Sequence, residues 1–165
     1  MKRIGVLSDT HSHLDDGVVE YLKECDEIWH AGDWGSIEVS DRLKSLKPVK
    51  GVWGNIDGRE LRLTYPETAV FMCEDVKVLI THIAGYPGKY AAKVKQQIIE
   101  HKPGIVVCGH SHILKVLFDK QLNHLHINPG ASGIKGFHQV RTLIRFSIDH
   151  ATPKDLQVIE LGKRI

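Results

Sequence analysis

Ile105-Val106-Val107-Cys108-Gly109-His110-Ser111-His112 is the stretch on which the fold turns: an apolar run stops at a glycine and then presents two histidines one residue apart. Ile105 to Cys108 predicts a strand buried on both faces. The histidines then stand at its C-terminal end, where open α/β sheets place their ligands. In extended backbone, residues i and i+2 point to the same side, so two imidazoles on one rigid support reach one metal ion, or one each of two neighbouring ions. The competing reading is a pair of surface histidines in a turn, and the rest of the chain has to decide between the two.

Composition sets the frame. The chain has 165 residues, enough to bury about two thirds of its unfolded surface without staples, and residues 1–165 are read as a single domain. With 42% hydrophobic and 25% charged residues it has the balance of a globular protein, and a net charge of +2 implies neither a nucleic-acid nor a membrane partner. Eleven histidines are many for this length and hint at metal chemistry. Cys25, Cys73 and Cys108 are odd in number and form no C-x-x-C pair, which argues against a disulfide framework and a thiolate zinc site. No apolar run has the length of a signal-peptide core or a membrane span, so a soluble, cytoplasmic protein is expected.

Outward from the opening octet, the same pattern recurs. Arg3 to Leu7 predicts a strand that hands over to Ser8-Asp9-Thr10-His11, where Asp9 and His11 again stand at i and i+2 as a hard oxygen beside a borderline nitrogen donor. The competing reading of Asp9 is a cap on the helix announced by Val18, Val19, Leu22 and Cys25. Glu27 to Ala31 predicts a second strand ending in Gly32-Asp33, followed by a helix from about Ser36 to Leu46. Val49 to Trp53 predicts a third strand, ending in Gly54-Asn55-Ile56-Asp57-Gly58, where a plain turn is the competing reading.

In the second half, Glu67 to Cys73 and Val76 to Thr81 predict a hairpin that ends at His82. A helix is expected from Pro87-Gly88 to about His101, with Tyr90, Ala91, Val94, Ile98 and Ile99 as its core stripe. Lys115 to Phe118 and Leu122 to Ile127 predict a second hairpin leading into Asn128-Pro129-Gly130, and Val140 to Asp149 with Asp155 to Leu161 close the chain as antiparallel strands. Strand and helix alternate first and hairpins follow, which predicts an α/β fold: a four-layer αββα sandwich of two stacked mixed sheets flanked by helices.

Metal-ligand residue types thus sit at every predicted strand end that leads into a polar turn. In this order the motifs Asp9-Thr10-His11, Gly32-Asp33, Gly54-Asn55-Ile56-Asp57, His82 and Gly109-His110-Ser111-His112 resemble those of the calcineurin-like metallophosphoesterase superfamily. The short length and Asn128-Pro129-Gly130 are similar to its compact bacterial and archaeal phosphodiesterase branch. The resemblance implies a dinuclear centre in which Asp9, His11 and His112 hold one divalent ion, Asn55, His82 and His110 hold the other, and Asp33 bridges. It further implies a bridging hydroxide that attacks the phosphorus of a small phosphorylated substrate. The donor types suit manganese, iron, zinc, cobalt or nickel better than magnesium or calcium, and manganese is the expected ion of the family. The family alternative is a non-catalytic protein-binding scaffold, as in the eukaryotic retromer subunit of the same fold, which has an incomplete ligand set.

One departure stands out. Many catalytic relatives carry a histidine where this chain has Ile56, so the usual proton donor to the leaving group is absent. His138, in a glycine-flanked segment, is the expected substitute, with His13 as a weaker one. Asp57 is the second catalytic candidate, and Asn55, Asn128 and Gly130 are the expected substrate-binding residues. Lys135 and Arg141 are candidates for added positive charge.

Overall fold

A computed structural model describes residues 1–165. The chain begins with β1 (Lys2–Leu7), in which Ile4 and Val6 face one way and Leu7 the other. Next comes α1 (Asp16–Leu22), capped by the Asp15 side chain, which accepts the Val18 N–H. This helix lies close on the sheet: a Cβ at Gly5 would stand 2.5 Å from the Leu22 side chain. The chain continues through β2 (Glu27–His30), α2 (Ile37–Leu46) and β3 (Val49–Gly51), and β2 pairs in parallel with both β1 and β3.

A short helix, α3 (Arg59–Thr64), leads to the hairpin of β4 (Thr68–Cys73) and β5 (Val76–Thr81). Then follow α4 (Ala92–His101), β6 (Ile105–Val107), β7 (Lys115–Asp119), β8 (His124–Asn128), β9 (Val140–Asp149) and β10 (Thr152–Lys163). The strands form two five-stranded sheets, ordered β10-β9-β1-β2-β3 and β4-β5-β6-β8-β7. Both mix parallel and antiparallel pairs.

Period-two alternation explains the layers. Ile4, Val6, Trp29, Ile144 and Phe146 of the first sheet meet Val78, Ile80, Ile105, Val107 and Ile127 of the second in one core. On the outer face of the first sheet, Leu7, Ile28 and Leu143 pack against Val18, Leu22, Val39, Leu43 and Leu61 of the first three helices. On the outer face of the second, Leu79 and Val106 pack against Val94 and Ile98 of α4. The result is the expected αββα sandwich. No helix is long and apolar enough to cross a membrane.

Three elements differ from expectation. Helix α3 is not foreshadowed, because it buries only Leu61 and leaves Leu63 exposed, so no apolar stripe marks it. Helix α4 starts at Ala92 and not at Pro87-Gly88: Gly85 and Gly88 hold φ of 86° and 89°, which keeps the preceding loop out of helical geometry. Strand β10 runs longer than Asp155–Leu161 because irregularities between Lys154 and Gln157 and between Glu160 and Gly162 let it bend along β9.

Candidate metal centre

The C-terminal ends of β1, β2, β5 and β6 meet at one edge of the sandwich, and the turns beyond them carry the polar residues. These turns are not extended. Asp9, His11, Asp33, His110 and His112 have φ of 53°, 45°, 59°, 71° and 62°, a left-handed conformation that costs a side-chain-bearing residue about 1–3 kcal/mol. The expectation that His110 and His112 share a side of an extended strand is therefore corrected, since β6 ends at Val107 and a turn sends the two histidines to different neighbours.

Glycines make the turns fit. A Cβ on Gly54 would collide with the Asp33 backbone nitrogen and carboxylate, and one on Gly109 would collide with the Ser8 hydroxyl and crowd the Asp9 carboxylate. The donor atoms fall into two groups that could each hold a metal ion, Asp9 with His11 and His112, and Asp33 with His82 and His110. His112 Nε2 lies 3.2 Å from Asp9 Oδ1. Asp33 Oδ2 lies 3.5 Å from His11 Nε2 and 3.2 Å from His82 Nε2, one imidazole of each group. Asn55 is exposed, with Oδ1 3.0 Å from His110 Nδ1.

Around these donors the protein spends its other hydrogen bonds on orientation. Asp9 Oδ2 accepts from Ser8 Oγ at 2.6 Å and from the His110 N–H at 3.1 Å. The His82 Nδ1–H donates to the Ala31 carbonyl at 2.7 Å, which leaves Nε2 as an electron-pair donor. Thr10 Oγ1 is 3.0 Å from Nε2 of the buried His30, whose ring stacks on Trp34 with centroids 3.8 Å apart.

Several expected site residues prove to belong to this bracing. Asp57, expected as catalytic, is 3% exposed, and its carboxylate accepts the backbone N–H groups of Asp33, Trp34, Gly35 and Gly54. With its oxygens turned to the backbone, it positions Asp33. Asn128, expected to bind substrate, donates to the Gly109 carbonyl and Ser111 Oγ and accepts the Gly130 N–H, so it braces the turn that carries the histidines. Gly130 is buried against Thr142 and offers no open surface.

His138, expected to donate a proton to substrate, has both nitrogens occupied. Its Nε2–H donates to the Gly133 carbonyl at 2.8 Å, and its Nδ1 faces His112 Nδ1 at 3.2 Å. The His112 Nδ1–H then donates to His138, which leaves His112 Nε2 free on the side of Asp9. His13 lies apart, 3.3 Å from Asp15. Arg141 is held by Asp15 at 2.8 Å and by the Ser132 carbonyl. Ile56 is 46% exposed, and its N–H donates to Asp33 Oδ1 at 3.1 Å.

The charges follow from the packing. Burial works to raise the Asp9 and Asp33 carboxyls, but the neighbouring imidazoles overcome it and hold both well below the usual carboxylate range. Asp33 and Asp9 in turn push His11 up to about 9. Without metal, protonated imidazole thus supplies the positive charge that two carboxylates demand. Asp9 Oδ1, His11 Nε2 and His82 Nε2 are nevertheless buried with no hydrogen-bond partner in the protein. Orphaned hard-oxygen and imidazole donors converging in this way fit divalent metal ions.

Bracing residues were the part least visible in the sequence; a polar residue beside or between ligand residues, as with Ser8, Thr10 and Asp57, was the available signal. The fold is a sandwich of two mixed sheets whose strand ends carry two groups of side chains that could each hold a metal ion. Residues 1–151 match the model of the calcineurin-like phosphoesterase superfamily domain, and the chain belongs to that superfamily.

It is 30% identical over 135 residues to a probable metallophosphoesterase of Methanothermobacter thermautotrophicus, covering 78% of this chain and 76% of that one. It is 26% identical over 144 residues to a phosphodiesterase of Methanocaldococcus jannaschii, covering 78% and 82%. Two solved structures share the fold. One is described as a novel archaeal phosphodiesterase, with a TM-score of 0.75, 22% identity and coverage of 96% of this chain and 99% of that one. The other is Vps29 of Entamoeba histolytica complexed with zinc, with a TM-score of 0.73, 16% identity and coverage of 97% and 99%.

Proposed function

We propose that the chain is a metal-dependent phosphodiesterase acting on a small phosphorylated substrate. Asp9, His11 and His112 hold one divalent transition-metal ion, Asn55, His82 and His110 hold a second, and Asp33 is shared between them. Four imidazoles, two carboxylates and one amide, with no thiolate, suit manganese, iron, zinc, cobalt or nickel better than magnesium or calcium. The observation that carries this reading is the place of Asp33, whose Oδ2 lies within 3.5 Å of an imidazole from each group.

Two such ions, when bound, supply an activated water and neutralise charge on the phosphoryl group. The chain's own residues set the geometry. Asp57 fixes Asp33 through the backbone, Ala31 fixes the His82 tautomer, and His138 fixes that of His112. Ile56, whose N–H donates to Asp33 Oδ1, has an apolar side chain and brings no proton donor. Leaving-group protonation is worth typically 10² to 10⁴-fold, so the site favours groups that depart without it.

Metal analysis combined with diester hydrolysis tests the proposal. The purified protein should carry transition metal, and the loaded protein should cleave an activated aryl diester faster than a dialkyl one. Asp33→Asn should lose at least one ion together with turnover. Wild-type metal content and turnover in that variant would overturn the shared role of Asp33. A loaded wild type inert toward all phosphoesters would overturn the enzyme reading in favour of a scaffold.

A further inference from the structure

A cavity of about 290 Å³ opens beside the candidate metal centre, and its lining includes Ile83, Tyr86, His110, Ile113, Lys115 and His126. His110 joins it directly to the donor set. Ile83, Tyr86 and Ile113 leave 48%, 41% and 63% of their surface exposed around it. The buried His126 has its polar atoms occupied, with Nδ1 2.7 Å from the Tyr90 hydroxyl and Nε2 3.7 Å from Cys108 Sγ. The hydroxyl is held in turn at 2.8 Å from His124 Nε2. Lys115 is the one cation in the lining, with its ammonium 4.3 Å from the centre of the Tyr86 ring.

The wall that carries Ile83 and Tyr86 is preformed. Its loop is closed by bonds from the Ala91 N–H to the Ala84 carbonyl at 2.9 Å and from the Lys89 N–H to the Tyr86 carbonyl at 2.8 Å. Gly85 is required there, because a Cβ would collide with the Lys89 carbonyl.

We propose that this cavity is a subsite for an aromatic ester group of the substrate, seated beside its phosphoryl group. The inference rests on the phosphodiesterase reading and deepens it. An apolar cavity of about 150 Å³ takes up benzene, so one of 290 Å³ admits a single or fused ring with its linker. Ile83 and Ile113 offer apolar contact to any ester group. The Lys115 ammonium and the Tyr86 ring add attraction for a π-face and a ring edge, which an alkyl group lacks. A cationic group would face Lys115 and would lose its hydration against the isoleucine walls.

Phenylphosphonate and methylphosphonate, which have no ester bond to hydrolyse, provide the test by calorimetric titration of the metal-loaded protein. Wild type should bind the phenyl compound about tenfold more tightly or better, as burial of a ring predicts. In the double variant Tyr86→Ala/Ile113→Ala, at wild-type metal content, the gap should shrink to about twofold. Equal affinities in the wild type, or a gap that survives the double variant, overturn the proposal.

Phenol alone separates the subsite from the reaction. Phenol-induced NMR shifts at the methyl groups of Ile83 and Ile113, in a protein that cleaves no diester, keep the subsite and remove the phosphodiesterase reading. Absence of those shifts overturns the subsite. A dimer that Tyr86→Glu converts to monomers, with no preference for the phenyl compound, gives the cavity to a second copy of the chain and likewise overturns the proposal.

Discussion

Four backbone N–H groups, of Asp33, Trp34, Gly35 and Gly54, end on the one carboxylate of Asp57. Three of these donors belong to the loop on which Asp33 stands, so the carboxylate fixes that loop to the turn at Gly54. Truncation leaves those donors without an acceptor in a buried place, where each orphaned group costs about 1–3 kcal/mol, and water entering the space recovers only part of this. Asp57→Ala should accordingly destabilise the protein by about 3 kcal/mol or more. Urea denaturation of the two proteins checks this, and an unchanged midpoint would show that the loop holds itself. Asn55 stands two residues away in the same turn and yet points outward to His110. The sequence Gly54-Asn55-Ile56-Asp57 names both residues as polar, but which one turns inward is decided by backbone donors that arrive from residues 33 to 35, more than twenty positions away.

The turns are the elements on which the site depends. Their strand-end positions were legible, because apolar runs stop at glycine in a repeated way and the donor types follow at once. Their left-handed backbone was not, since Asp, His and Ser carry no sign of positive φ comparable to a glycine. Helix α3 was invisible for a related reason: one buried side chain makes no periodic pattern. Glycine's role at these turns can be tested by contrast. At Gly109 a methyl group would meet Ser8 and the Asp9 carboxylate, whereas at Gly58 it would meet nothing within 4 Å. Gly109→Ala should lower the thermal midpoint and weaken metal binding together, because relief of the clash must move Asp9 or the histidine turn. Gly58→Ala should leave metal binding unchanged and lower the thermal midpoint only slightly, since Gly58 is the N-cap of α3, where alanine is disfavoured. Equal behaviour of the two variants would detach the turn from the donor geometry.

At the scale of the whole molecule, the site is a seam between two sheets, and its protonation affects how well they hold together. Burial lowers His30 from 6.5 to about 3 and His126 from 6.5 to about 4. The unfolded chain protonates both near pH 6.5 while the folded one resists, so their contribution is complete above that pH and is lost as pH falls toward 4 and 3. For the fully buried His30, each unit of depression corresponds to about 1.4 kcal/mol. His11 has the opposite sign: raised to about 9, its contribution is complete below pH 6.5 and is lost as pH rises through 9. Metal-free protein should therefore be most stable near pH 6.5, and urea midpoints measured from pH 5 to 9 check this; a flat profile would contradict it. Metal changes the alkaline side. Asp9 and Asp33 follow β1 and β2 of one sheet, while His82, His110 and His112 follow β5 and β6 of the other, so bound ions would link the two sheets. A ligand at a hundredfold excess over its Kd stabilises by about 2.7 kcal/mol, which for a chain of this size is roughly 5–10 °C. Chelation should lower the thermal midpoint by about that much and restore the loss of stability above pH 6.5, because His11 no longer needs a proton when a cation takes its place. Asp33→Asn should respond less to chelation than wild type. A wild-type midpoint indifferent to chelator, in a preparation shown to contain metal beforehand, would mean that the ions sit somewhere other than this seam.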